Sequence, residues 1–250
     1  MINIVRSPQA PKSLDNAGIR KYLDELEAYK NDQQLPPEQQ TLKKPKCHES
    51  YRNTDLFEAF DDCFFKKCYL TEEAFFTSWA MDVEHFVPQN EKPELKYIWS
   101  NLYPASHDAN MMKPRNTPDG GYLNPCEPID DVENDLLYFF DYENDAVHFE
   151  AVDPSNKKAT NTAKLLQKLH NGDSEETHRK TAELRNAIHK RFIRILELII
   201  EWRQAREVSE RHAEFEAARK LKALLSRKAS FTMLMRSIKA VRDLPSEFFD

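Results

Sequence analysis

Residues 82–114 read DVEHFVPQNEKPELKYIWSNLYPASHDANMMKP, and the fold turns on how this stretch is read. It opens on a short strand candidate at 82–86, within which Glu84 and His85 form an adjacent acid and histidine pair. Neighbours on an ideal strand point to opposite faces, so these two converge on one site only if the strand bends or the site lies at its end. Asn101 then opens N-L-Y-P-A-S, and Asn110 is followed three residues later by Lys113, with Arg115 beyond it.

Outward from this stretch the chain divides in two. Thirteen of its fourteen prolines fall before residue 155, while 174–244 contains neither proline nor glycine. In that second region Leu184, Ile188, Phe192, Ile195, Ile199 and Trp202 recur every three or four residues, and Val208, His212, Phe215, Leu221 and Leu225 extend the stripe. The pattern predicts one long helix or a broken pair, with Asp173 and Glu176 placed as a capping-box-like start. A short basic amphipathic helix is expected at 231–241. The first region is mixed: a polar N-terminal arm, a helix at about 19–29, a QQLPPEQQ linker, an amphipathic stretch around 56–65, and strand candidates at 82–86 and 138–149. Together these predict a mainly helical α+β protein with long C-terminal helices.

A chain of 250 residues, 40% hydrophobic and 11% aromatic, can supply a real core, which excludes disorder throughout. No run approaches the roughly 18 to 20 apolar residues of a membrane span, and the opening MINIVRSPQAPKSLDN lacks a signal peptide's apolar stretch, so the expected location is cytoplasmic. Four glycines argue against a glycine-rich nucleotide-binding loop. Charge is unevenly spread: 173–250 holds 17 Lys and Arg against 13 Asp and Glu, so the remainder carries −10 of a net charge of −6. Between Arg115 and Lys157 there is no basic residue, while Asp130, Asp131, Glu133, Asp135, Asp141, Glu143 and Asp145 form an acidic block. That block would repel nucleic acid and suits docking on a basic face of a partner.

In its central stretch the sequence resembles the HNH endonucleases. Their ββα-metal fold puts a histidine on a first strand, an asparagine in the following loop and a histidine or asparagine on a helix, all around one divalent metal. The separations of 16 residues from His85 to Asn101 and 9 from Asn101 to Asn110 match that layout. Phosphodiester cleavage needs a base to deprotonate water, and neutral imidazole suits that task, which makes His85 the general base. A hard cation, Mg²⁺ or Mn²⁺, would be held by oxygen ligands from Glu84 and Asn110, with Asp82 the alternative acid. The resemblance gives Asn101 the task of holding the His85 ring through its carbonyl. Lys113 and Arg115 are candidate phosphate clamps, and His107 a candidate phosphate contact.

Many HNH relatives brace this unit with zinc on two C-x-x-C pairs. Here only Cys68 survives of the first pair, with Thr71 in its partner position, and Ser106 and Ala109 replace the second. One thiolate cannot hold tetrahedral zinc, so no structural zinc is expected, although Cys47, His48, Cys63 and His107 could in principle rebuild a site. A hydrophobic brace of Phe60, Phe64, Phe65, Phe75, Phe76, Trp79 and Trp99 is expected instead.

Beyond the motif, MINIVRSPQAPKSL, the F-x-x-x-C-F-F-K-K-C-Y-L-T-E element, E-H-F-V-P, Y-I-W-S-N-L and G-Y-L-N-P-C-E-P-I-D-D-V-E-N-D-L look like the HNH subunit of Septu-type anti-phage systems, which some retron systems share. The resemblance implies nucleic-acid cleavage, of DNA or of RNA such as tRNA, beside an ABC-type ATPase. In retron-linked relatives a reverse transcriptase with its RNA–DNA product is added. The expected organisation is an arm and helix for partner docking at 1–59, the nuclease unit at 60–120, an acidic connecting segment at 121–172 and a helical assembly region at 173–250. The competing expectation is a non-catalytic scaffold that keeps a degenerate HNH unit.

Overall fold

Asn16 opens the first helix: its side-chain oxygen accepts the Ile19 N–H at 2.9 Å, satisfying a donor that every helix start leaves free. In the computed structural model, which describes residues 1–250, this helix, α1, runs Ala17–Asp32. Its inward Ile19, Tyr22 and Leu26 close with Tyr97 into a small cluster of their own. Helix α2, Thr54–Phe64, enters the main core. Leu56, Phe57, Phe60 and Phe64 share one face and are each no more than 1% exposed, worth roughly 1.5 to 3 kcal/mol apiece from burial.

Strands β1, Asp82–His85, and β2, Leu102–Ala105, pair antiparallel with Asp82 opposite Ala105 and His85 opposite Leu102. Helix α3, His107–Met112, follows directly, capped by the Ser106 hydroxyl, and completes a ββα unit. The strand candidate at 138–149 resolves into a hairpin of β3, Leu136–Asp141, and β4, Ala146–Ala151. Alternation along β3 buries Leu136, Tyr138 and Phe140 and exposes Leu137 and Phe139. After it come α4 (Lys157–Asn171), α5 (Glu175–Lys180), α6 (Ala182–Glu207), α7 (Arg211–Leu225), α8 (Thr232–Arg236) and α9 (Lys239–Arg242). The class is α+β, mainly helical, with two small antiparallel sheets. No helix is long and apolar enough to cross a membrane.

The main hydrophobic cluster runs from Met1 to Phe248, so all four segments expected from the sequence share one core. This alters several expectations. The N-terminal arm starts inside the core rather than as a wholly polar arm: Met1, Ile2 and Ile4 are buried, the Met1 ammonium pairs with Glu72 at 3.1 Å, and the Arg6 guanidinium lies 4.2 Å from the Trp99 ring centre and 4.4 Å from that of Tyr103. Much of the acidic block is tied internally. Asp130 pairs with Lys158, Glu133 with Arg227, and Asp145 with the buried Arg185, while the Asp141 carboxylate closes the hairpin turn on the Glu143 and Asn144 N–H groups.

The C-terminal stripe is likewise mostly internal core. Ile188, Ile195, Ile199, Trp202, Leu221 and Leu225 are buried, and only Val208, His212 and Phe215, at the corner between α6 and α7, stay exposed. Its capping box is Ser174 with Thr177, which starts α5, rather than Asp173 with Glu176. The expected single helix at 231–241 is the pair α8 and α9. In the aromatic brace Phe60, Phe64 and Trp99 are buried, but Phe76 is 95% exposed and belongs to no core, and Trp79 is stacked on Phe57 at the surface.

Candidate active site

Pairing of β1 with β2 leaves His85 as the last residue of its strand, where the chain turns into the long 86–101 connection. That position resolves the problem of alternate faces, because at a strand end two consecutive side chains can face one cleft. His85 and Glu84 both line a cleft of about 520 Å³, with Tyr51, Gln89, Asn110 and Arg115 among its other walls.

The imidazole is 6% exposed and held at both nitrogens. Its Nε2 lies 2.9 Å from the Lys96 carbonyl, which can only accept, so Nε2 carries the proton and Nδ1 holds the lone pair. Nδ1 is met by the Gln89 side-chain amide at 3.1 Å, and the Tyr51 ring packs edge-on at 5.4 Å. Burial lowers the affinity of His85 for a second proton, only partly offset by the hydrogen bond to Lys96.

Asn101 does not hold that ring. Its side-chain oxygen accepts the Val87 N–H at 2.7 Å, its amide donates to the carbonyls of Val87 and Leu95, and its backbone carbonyl accepts the Phe86 N–H. Asn101 pins both ends of the 86–96 loop, and the loop delivers the Lys96 carbonyl to His85. The physical reason is reach: a buried asparagine whose own backbone pairs beside the end of β1 satisfies the nearest loop groups first.

Lys113 is also placed otherwise than as a phosphate clamp. It is 7% exposed, and its ammonium contacts the Glu84 carboxylate and donates to the His85 and Phe86 carbonyls at 2.9 and 3.1 Å. Burying an ammonium requires acceptors on every side, and this one has three. Burial pushes the Glu84 carboxyl up, against the opposing pull of Lys113. Arg115 is exposed on the rim of the cleft, where a phosphate can reach it.

Asp82 and His107 lie beside the cleft rather than on its wall. One Asp82 oxygen takes the His107 Nδ1 at 2.9 Å and the Asn110 amide at 3.0 Å, so Asp82 ties α3 to β1. Burial raises the Asp82 carboxyl, but these hydrogen bonds outweigh it and hold it below its usual range. With its N–H engaged there, Asn110 retains its amide oxygen. Carboxylate and amide oxygens from Glu84 and Asn110 form a hard donor set that fits Mg²⁺ or Mn²⁺ in chemical type, although Glu84 already has Lys113 as a neighbour. No three His, Cys, Asp or Glu side chains gather as a metal-binding group anywhere in the chain.

Sequence reasoning missed Tyr51, Gln89 and the Lys96 carbonyl. Tyr51 lies far upstream, and any residue can present a backbone carbonyl, so neither leaves a sequence signal. Gln89, four residues past His85, was within reach of a search for polar partners. In comparison with known proteins, the chain matches no family model, no curated protein and no solved structure.

Proposed function

We propose that this protein is a metal-dependent HNH-type endonuclease that cleaves phosphodiester bonds of nucleic acid, DNA or RNA such as tRNA. The proposed setting is an anti-phage complex with an ABC-type ATPase. The observation that carries the reading is His85 at the end of β1, fixed as the Nε2-protonated tautomer in the cleft that also takes in Glu84 and Asn110. A base needs a lone pair aimed at solvent-accessible space, and Nδ1 supplies it once water replaces the Gln89 amide. Bound at Glu84 and Asn110, Mg²⁺ or Mn²⁺ would supply stabilisation of the charge that builds on phosphate and leaving oxygen. Arg115 draws the phosphate to the rim, and Asp82 keeps Asn110 oriented.

The test is cleavage of DNA and total RNA by the chain, alone and with a co-expressed ATPase, over Mg²⁺ and Mn²⁺ titrations. His85→Ala should lower cleavage by roughly 10²-fold to 10⁴-fold while Mn²⁺ binding persists. Asn110→Ala should weaken Mn²⁺ binding as well, and excess Mn²⁺ should restore part of the rate. Cleavage unchanged in His85→Ala would refute the assignment. The scaffold reading draws support from one observation, the Lys113 ammonium against Glu84, which neutralises the carboxylate without a metal. An ATPase complex that assembles normally, binds no Mn²⁺ and cuts nothing would establish it.

A further inference from the structure

Away from the cleft, a second cavity of about 490 Å³ opens where the β3–β4 hairpin, α6 and the α8–α9 junction meet. Its size lies in the range that holds a small ligand. One side is aromatic. Phe139 and Tyr142 are 58% and 56% exposed, and Tyr142 stacks against Phe192 with the rings 5.9 Å apart and 22° from parallel. Phe192 is in turn braced edge-on by the buried Phe140, so the stack is backed by the core.

The other side is cationic. Arg236 is tied to Asp250 and to the Leu225 carbonyl, but Lys239 and Arg242, three residues apart, are exposed on the cavity wall and enter no ion pair or side-chain hydrogen bond. Two carboxylates complete the lining, with different roles. Asp141 is turned inward onto the hairpin N–H groups, whereas Glu143 makes only a 3.4 Å contact with the Tyr142 hydroxyl.

We infer that this cavity is a binding site for a phosphorylated nucleoside, either a free nucleotide or the phosphorylated end of a single strand. Each wall matches one part of that ligand. A base stacks on the Tyr142 ring, which costs little to order because Phe192 already supports it. Lys239 and Arg242 take the phosphate, Arg242 through its fork of donors. Glu143 accepts a base N–H, which distinguishes a nucleobase from a phosphorylated tyrosine, whose ring has no such donor. With two cations balanced by two carboxylates, the cavity favours a ligand carrying both an anion and N–H donors over a bare polyanion. The site is independent of the His85 cleft, and its failure would leave that reading untouched.

Titration calorimetry of the full chain tests the assignment with adenosine monophosphate, adenosine, ribose 5-phosphate, phosphotyrosine and a 5′-phosphorylated single-stranded oligonucleotide. Adenosine monophosphate or the oligonucleotide should bind saturably, with adenosine and ribose 5-phosphate each at least roughly tenfold weaker. Competition between the two shows that strand ends share the site, and binding of only one of them assigns it to that source. Lys239→Gln with Arg242→Gln should weaken the phosphorylated ligands at least roughly tenfold and adenosine little, while Tyr142→Ala should weaken all of them. These side chains are exposed, and circular dichroism of the variants should match the wild type. Three results would overturn the inference: no saturable binding of either phosphorylated ligand, equal binding of phosphotyrosine, or affinities unmoved by the double substitution.

Discussion

Replacing Asn101 by alanine should destabilise the fold by roughly 2 to 5 kcal/mol, and the size of the effect follows from three hydrogen bonds. The Val87 N–H loses its only side-chain acceptor, at 2.7 Å, and the carbonyls of Val87 and Leu95 lose donors at 3.1 and 3.3 Å. An orphaned buried donor costs about 1 to 3 kcal/mol, and each of the two longer bonds contributes about 0.5 to 1 kcal/mol because water from the cleft side can replace part of it. The total is a large share of the roughly 5 to 15 kcal/mol that holds a domain together, yet leaves it folded. Urea denaturation of Asn101→Ala beside Asn90→Ala measures it, because Asn90 is exposed, bonds only Asn116 and should change stability by no more than about 0.5 kcal/mol. A second readout follows the site itself. In the wild type, nitrogen-resolved NMR of the imidazole should report an Nε2-protonated His85, and Asn101→Ala should weaken that preference as the loop carrying the Lys96 carbonyl loosens. An Asn101→Ala protein within 0.5 kcal/mol of the wild type, with the same His85 tautomer, would show that the loop is held by something else.

Stability should fall on acidification because His170 is buried neutral: burial drops its pKa to about 4, against the opposing hydrogen bond to the Leu166 carbonyl. Its folded pKa lies below the unfolded value near 6.5, so the stability is present above pH 6.5 and lost as pH falls towards 4. That amounts to roughly 2 kcal/mol between pH 7 and pH 5, and His170→Gln should flatten the slope. Lys113→Met should cost roughly 3 to 5 kcal/mol in denaturant titration, since Glu84 and two carbonyls lose their common donor, and a loss under about 0.5 kcal/mol would mean the ammonium is not needed there. Elemental analysis should find no stoichiometric zinc, and one zinc per chain that is lost together with folding in Cys68→Ser would restore a rebuilt site.

Where local pattern and tertiary role agree, the sequence was legible. The 3.6-residue stripe located α6 and α7, and the stretch at 138–149 was legible as strand, although not as the two strands of a hairpin. Of the two alternatives, one long helix or a broken pair, the structure has the pair, and the place of the break was not legible because it uses no glycine or proline: Ser209 takes the left-handed conformation at φ 59°, and the apolar period runs on through it. Strand β2 escaped notice because all four of its residues are buried and one is Pro104, so neither alternation nor composition marks it. In the candidate site, the resemblance implied His85 on a strand, Asn101 in the following turn or loop and Asn110 on a helix, and the chain has them at the end of β1, in a short turn after the long connection and in α3. What Asn101 and Lys113 touch was beyond reach, since both bond backbone groups that any sequence would offer.

The ββα unit needs its helix fixed against its hairpin, and the two ties that do so sit on opposite flanks of the candidate metal ligands. At the start of β1, one oxygen of Asp82 takes both His107 and Asn110 of α3. At its end, Lys113, just past α3, takes the carbonyls of His85 and Phe86 together with Glu84. Both ties are polar, but only the second contains a full charge with little access to water, so a large shift of α3 would leave Lys113 and Glu84 unmatched, whereas Asp82 and the exposed His107 could exchange their bond for water. Asn110 and Glu84 are therefore held between two constraints, while His85, anchored through Lys96, is positioned from the loop side. Base and ligand candidates thus take their geometry from different parts of the fold. A change at Asn101 should accordingly act on His85 and spare Asn110, and a change at Asp82 should do the reverse.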